Sequence, residues 1–129
     1  ELGHLDEAEQ ILQREIQIAA IHEGTVSNSV RLSMRHLGVL LRNNGRFEAA
    51  NQFLTGALEI SIKLYGEDST EIASELNALG QLRTEQNQLE DARQLLERSL
   101  MIRRADPEAD MESIRSVQER LDLVLQRLR

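Results

Sequence analysis

The sequence predicts an all-α fold, a solenoid of stacked antiparallel helix hairpins with six helices. Three observations predict it. A block of residues recurs at a fixed step of 42, from Ala8 to Ala50 to Ala92. Within and between the blocks, apolar residues are spaced by three and four, the period of one helix face. The chain of 129 residues holds a single proline, Pro107, and no alternating or β-branched run long enough for a strand.

The block reads LGHLDEAEQILQREIQI, then NNGRFEAANQFLTGALEI, then QNQLEDARQLLERSLMI. Gln10, Gln52 and Gln94 stay in phase, as do Leu12, Leu54 and Leu96, and Ile18, Ile60 and Ile102, while Gly3 matches Gly45. The expected units are about 3–44, 45–86 and 87–129, one domain over 1–129. Each unit should hold a second-type helix, which carries the block, followed by a first-type helix that starts the next hairpin. The chain therefore opens on a second-type helix without its partner and reads as a piece of a longer protein.

The expected helices are 5–22, 27–42, 47–63, 69–85, 89–104 and 109–128. The first is the block itself. The second carries Leu37-Gly38 and stops at the NNG turn, where Gly45 can take a positive φ. In the third, Phe47, Ala50, Phe53, Leu54, Ala57, Leu58 and Ser61 share a face. The fourth aligns Ile72, Leu76, Leu79 and Arg83, with Asp68 or Ser69 as cap and Glu71 in the first turn. The fifth repeats the third in phase. The sixth follows the acidic DPEAD, where Pro107 fixes the turn and Asp110 complements the helix dipole. It carries Ile114, Val117, Leu121, Val124 and Leu128 at alternating steps of three and four. Short loops make neighbours antiparallel.

Gly38 and Gly80 sit mid-helix at the same phase, where glycine costs about 1 kcal/mol relative to alanine. A cost repeated at one phase implies close approach of a neighbouring helix, with Leu37 and Leu79 expected to fill the facing groove. A hairpin cannot bury both faces alone, so stability should come from stacking.

Composition narrows the function. With 40% apolar residues the chain is globular, and with 2% aromatics its core must be Leu, Ile, Val and Ala. The net charge of −7 argues against nucleic acid, which needs a basic stripe. No third of the chain is polybasic, and residues 45–86, with seven acids against three bases, are the most acidic. No apolar run approaches the length of a membrane span, and no signal peptide is present, so no membrane role is expected. Zero cysteines remove disulfides and thiolate chemistry and fit a reducing, cytoplasmic setting.

The stretches LGVLLRNNGRFEAANQFLTGALEI and LNALGQLRTEQNQLEDARQLLERSLMI resemble tetratricopeptide repeats. The shared features are Leu-Gly in the first helix and Gly-x-Phe-x-x-Ala in the second, and the likeness covers essentially the whole chain. The 42-residue step, the ALEI ending and YGEDSTEIASELNALG resemble the kinesin-light-chain-like branch, with its nephrocystin-3-like and bacterial multi-repeat members. The resemblance implies a right-handed α-α superhelix whose concave groove receives an extended or helical peptide. It departs from the family pattern at Asp122, where the other first-type helices have Gly38 and Gly80, and the Leu-Asn-Asn-Leu motif survives only as Leu76-Asn77-Ala78-Leu79.

By the same resemblance, the groove stripe is Ser74, Asn77, Gln81, Thr84 and Glu85 in the middle repeat. It is Leu32, Arg35, Val39, Arg42 and Asn43 one step back, and Ser116, Glu119, Leu123, Gln126 and Arg127 one step on. The Asn77 amide can bond a peptide backbone as donor and acceptor, and Arg35 and Arg42 can fork onto a ligand carboxylate. Arg35 has Glu71 or Glu75 as an alternative partner, and a polar stripe can also be a solvated face.

No catalytic constellation is present. His4, His22 and His36 lack partners at metal-ligand spacing, and there is no GxGxxG, P-loop or strand-turn-helix for a nucleophile. The expectation is a non-enzymatic module without cofactors that binds a protein or peptide. The alternative is self-association: Leu123 and Leu125 widen the apolar arc of the last helix beyond Leu121 and Leu128, and the isolated fragment can pair through that helix as a homodimer.

Overall fold

A computed structural model describes residues 2–129, with side chains from His4 onward. Six α-helices account for the described chain: α1 (Leu2–Glu23), α2 (Asn28–Asn43), α3 (Phe47–Tyr65), α4 (Thr70–Glu85), α5 (Leu89–Ala105) and α6 (Met111–Leu128). Strands are absent among the described residues. The helix positions match the expected ones closely, with the largest differences at the start of α1, the end of α3 and the start of α6.

The late start of α6 has a local cause. Asp106 Oδ1 accepts from the Glu108 amide at 3.0 Å, which closes a turn around Pro107. Asp110 then serves as the N-cap, its Oδ1 accepting from the Glu112 amide at 3.1 Å. Asp110 therefore acts by a direct hydrogen bond just outside the helix. At the end of α2, Gly45 has φ +78° and the Arg46 amide reaches back to the Leu41 carbonyl at 2.9 Å. The position 42 residues on is Asn87, the one non-glycine with positive φ among the described residues, and the Gln88 amide likewise reaches the Arg83 carbonyl at 2.8 Å. Asparagine tolerates this conformation better than other non-glycine residues.

The chain divides into two compact units, Glu1–Gly66 and Glu67–Arg129. In the first, α2 packs against both α1 and α3. Its centre is Val30, Leu37, Leu41, Ala50, Leu54 and Ala57, all buried. Arg31 lies over the Tyr65 ring at 5.7 Å from its centroid, and Tyr65 Oη donates to Asn28 Oδ1 at 3.1 Å, which ties the far end of the α2–α3 hairpin. In the second unit α5 packs against α4 and α6. Ala92, Leu96 and Leu100 of α5 meet Val117, Leu121 and Val124 of α6, flanked by Leu89 and Ile114. The buried Ser99 hydroxyl donates to the Ala73 carbonyl at 2.8 Å and holds α5 to α4.

Both hairpins close on the same contact. A Cβ at Gly38 would stand 2.6 Å from Leu54 Cγ and 3.3 Å from the Leu54 backbone nitrogen. A Cβ at Gly80 would stand 2.8 Å from Leu96 Cγ and Cδ2. The close approach expected from the glycines is present, and the side chain that occupies the space is the block leucine of the following helix. Leu37 and Leu79, expected to fill the facing groove, are buried in their units.

Gly56, also helical, would meet only the flexible end of Met34. Gly56→Ala should therefore raise stability or leave it unchanged, since alanine is favoured over glycine in a helix by about 1 kcal/mol. Gly38→Ala should lower stability by about 1–2 kcal/mol, because the overpacking against the fully buried Leu54 outweighs that gain. Urea denaturation of the two variants, followed by circular dichroism, checks the opposite signs.

Candidate functional site

First-type helices α2 and α4 carry the expected stripe. In the first unit, Arg35 and Val39 are half-buried on α2. Arg42 is buried, and its Nη2 donates to Asn43 Oδ1 at 3.1 Å on the same helix. A guanidinium packed in this way is held by its own chain more firmly than the picture of a pair of open arginines suggested.

In the second unit Ser74, Asn77, Gln81 and Thr84 are half-buried along one side of α4. Three of them are engaged within the unit. Ser74 Oγ accepts from Arg103 Nη2 at 3.3 Å. Asn77 Oδ1 accepts from Arg120 Nη1 at 3.1 Å, a link from α4 to α6. Thr84 Oγ1 donates to the Gly80 carbonyl at 2.8 Å, a bond back into its own helix. Asn77 thus offers a ligand its amide N–H groups, while its oxygen is occupied by Arg120.

Two depressions flank this row. One, of about 320 Å³, is lined by Asn77, Arg103, Asp110, Glu112, Ser113 and Ser116, with Val117 behind. Burial pushes the Arg103 pKa below its ordinary value, opposed by the carboxylate of Asp110, which acts to raise it. The other, of about 160 Å³, is lined by Gln81, Thr84, Glu85, Arg120 and Leu123. Asn77 and Thr84 are two turns apart on α4, roughly 10 Å at 1.5 Å per residue. The row therefore joins a charged, hydroxyl-rich depression to a small one floored by the exposed Leu123.

The four leucines expected to mediate self-association fall in different places. Leu121 is in the core against α5. Leu123 lines a depression with Gln81 and Thr84 of α4. Leu125 and Leu128 are exposed. The sequence reading passed over Arg103 and Arg120. Neither shares the stripe's phase, so only the packing of α5 and α6 brings them to the row. Among the described residues no three metal-binding side chains cluster, and no helix is long and apolar enough to cross a membrane.

A tetratricopeptide repeat model matches residues 29–105 of the chain. The chain belongs to the tetratricopeptide repeat family. That family is generally non-catalytic and binds other proteins. Among solved structures, BtubC (BKLC) from P. vanneervenii is similar, with 27% identity and a TM-score of 0.89 over 96% of this chain and 50% of that one. A putative kinesin light chain of Podosopora anserina with nearly identical TPR-like repeats has 21% identity and a TM-score of 0.84, over 96% of this chain and 59% of that one. Its Q17M form has 20% identity and a TM-score of 0.83, over 95% of this chain and 57% of that one. The tetratricopeptide chain thus spans between half and three-fifths of the structures it matches. No curated protein matches it.

The Asn77–Arg120 link ties α4 to α6 by a side-chain bond, and it should be energetically measurable. A double-mutant cycle of Asn77→Ala and Arg120→Ala, read by denaturant unfolding, should give a coupling of about 1 kcal/mol. Additivity of the two single changes would show that the bond does not order the row.

Proposed function

We propose that this tetratricopeptide chain is a non-catalytic, cytoplasmic scaffold that binds a partner protein or peptide along the α4–α6 face of its second unit. The observation that carries the reading is the row from Ser74 to Thr84, with the Asn77 amide at its centre and the Leu123 depression at one end. A peptide backbone laid along the row would meet the Asn77 N–H groups. An apolar side chain of the partner would enter the space above Leu123, where about 160 Å³ accommodates a single side chain. Arg35, Val39 and Arg42 are the equivalent positions of the first unit and are assigned the same role. Such sites draw most of their affinity from a few buried anchors, and Leu123 is the apolar one here.

Homodimerisation through the last helix is the second reading, and the exposure of Leu125 and Leu128 is what favours it. It has less apolar surface to draw on than the sequence suggested, since Leu121 is internal and Leu123 belongs to the α4–α6 face.

Panning a random peptide display library against the chain tests the first reading. Recovered peptides should lose at least tenfold in affinity for Leu123→Glu, about 1.4 kcal/mol, and severalfold for Asn77→Ala. Binders indifferent to both changes would place the site elsewhere.

A further inference from the structure

Hydrogen bonds inside the second unit decide what the row on α4 can offer. An arginine side chain carries donors and no acceptor, so any atom that a guanidinium faces must accept. Ser74 Oγ accepts from Arg103 Nη2 at 3.3 Å, and Asn77 Oδ1 accepts from Arg120 Nη1 at 3.1 Å. The Arg120 bond fixes the orientation of the Asn77 amide: the oxygen is spent on α6, and the NH2 group is left for the row. Ser74 in turn keeps its own hydroxyl hydrogen, and neither that hydrogen nor the Asn77 NH2 group has an acceptor among the described residues. Thr84 is different. Its hydrogen goes to the Gly80 carbonyl at 2.8 Å, so only lone pairs remain at that end.

From Ser74 to Asn77, helix α4 therefore presents donors. Each is strengthened by the cation behind it, because an amide or hydroxyl whose oxygen accepts from a charged group gives up its own hydrogen more readily. A ligand N–H brought to Asn77 Oδ1 would instead stand against the positive charge of Arg120. What fits is an acceptor. A carboxylate is the less suitable kind, because Asp110 and Glu112 line the same depression and balance the charges of Arg103 and Arg120. A neutral carbonyl takes the same bonds without meeting that repulsion.

We propose that Arg103 and Arg120 make this part of α4 a donor edge, which reads backbone carbonyls of the partner and not its N–H groups, with Arg120 the positioning residue for Asn77. The inference rests on the α4–α6 face as the binding surface and specifies the chemistry of what lies on it. A residue without a backbone N–H, proline or an N-methylated amino acid, is accepted at this point as readily as any other, since it lacks only the group that the edge does not use.

Small amides separate the two backbone groups. N-methylacetamide carries a carbonyl and an N–H, N,N-dimethylacetamide carries the carbonyl alone, and acetate is the carboxylate. Each is titrated into the isotope-labelled chain, and the side-chain amide signals of Asn77, assigned by their loss in Asn77→Ala, are followed by heteronuclear NMR. In the unaltered chain the two amides should half-saturate these signals within about twofold of each other, and acetate should need a higher concentration. Arg120→Met frees Oδ1 to accept, so N-methylacetamide should then bind about fivefold more tightly than N,N-dimethylacetamide, the worth of one neutral hydrogen bond. Arg120→Lys keeps a cationic donor for Oδ1 and should restore the equality. Thermal melting confirms that the variants are folded, and should Arg120→Met not fold, the comparison in the unaltered chain still decides. A preference for N-methylacetamide in the unaltered chain, or tighter binding of acetate than of either amide, would overturn the proposal. So would an unchanged ratio in folded Arg120→Met, or Asn77 signals that answer to no probe. Because the readout is the Asn77 amide itself, these failures are distinct from a failure to recover peptides by panning, which counts against the α4–α6 face as a whole.

Discussion

The approach of Leu54 to Gly38, and of Leu96 to Gly80, is the contact on which each hairpin depends. Two helices come together closely enough that a methyl group on either glycine would have no room. The leucines are fully buried, so the close approach brings dispersion contacts on every side and removes apolar surface from water. Glycine weakens the helix by about 1 kcal/mol at each site, and the packing it permits offsets that cost. The same phase in two hairpins makes this a property of the repeat.

The rest of the second unit follows from this contact. With α5 seated on α4 through Leu96 and the Ser99 bond, Ala92, Leu96 and Leu100 of α5 also receive Val117, Leu121 and Val124 of α6. That seating brings Arg120 to Asn77 and Leu123 to Thr84. The candidate site is therefore made by packing: none of its cross-helix neighbours is close in sequence, and the row on α4 would be only a polar stripe without α6 beside it. The same logic separates the leucines of α6, since a single helix rotation decides which face the core, which face α4 and which face solvent.

Much of the fold was legible because it depends on residues whose physics is local. The 42-residue step, the helical spacing and the glycine at the end of α2 are each readable one residue at a time. Asn87 in place of that glycine keeps the turn, as its tolerance of positive φ allows. What was not legible required knowing which atoms meet. Gly38 and Gly80 announced a close neighbour, yet periodicity could not say that the neighbour was the block leucine of the following helix. Asn77 was visible as a polar position, but its bond to Arg120 spans 43 residues. Asp110 was visible as an acid near a helix start, and only the turn around Pro107 made it the cap. The substitution at Asp122 was readable as a departure from the repeat.

The most direct test of this account is the effect of Gly80→Ala measured in two backgrounds, with Leu96 intact and with Leu96→Ala. If the leucine occupies the space over the glycine, alanine at position 80 should destabilise the intact chain and stabilise the Leu96→Ala chain by about 1 kcal/mol, the helix-propensity gain alone. A reversal of sign between the two urea series is the predicted result. The same sign and size in both backgrounds would mean that Gly80 and Leu96 do not sense each other, and the contact from which the rest of the structure has been argued would not exist.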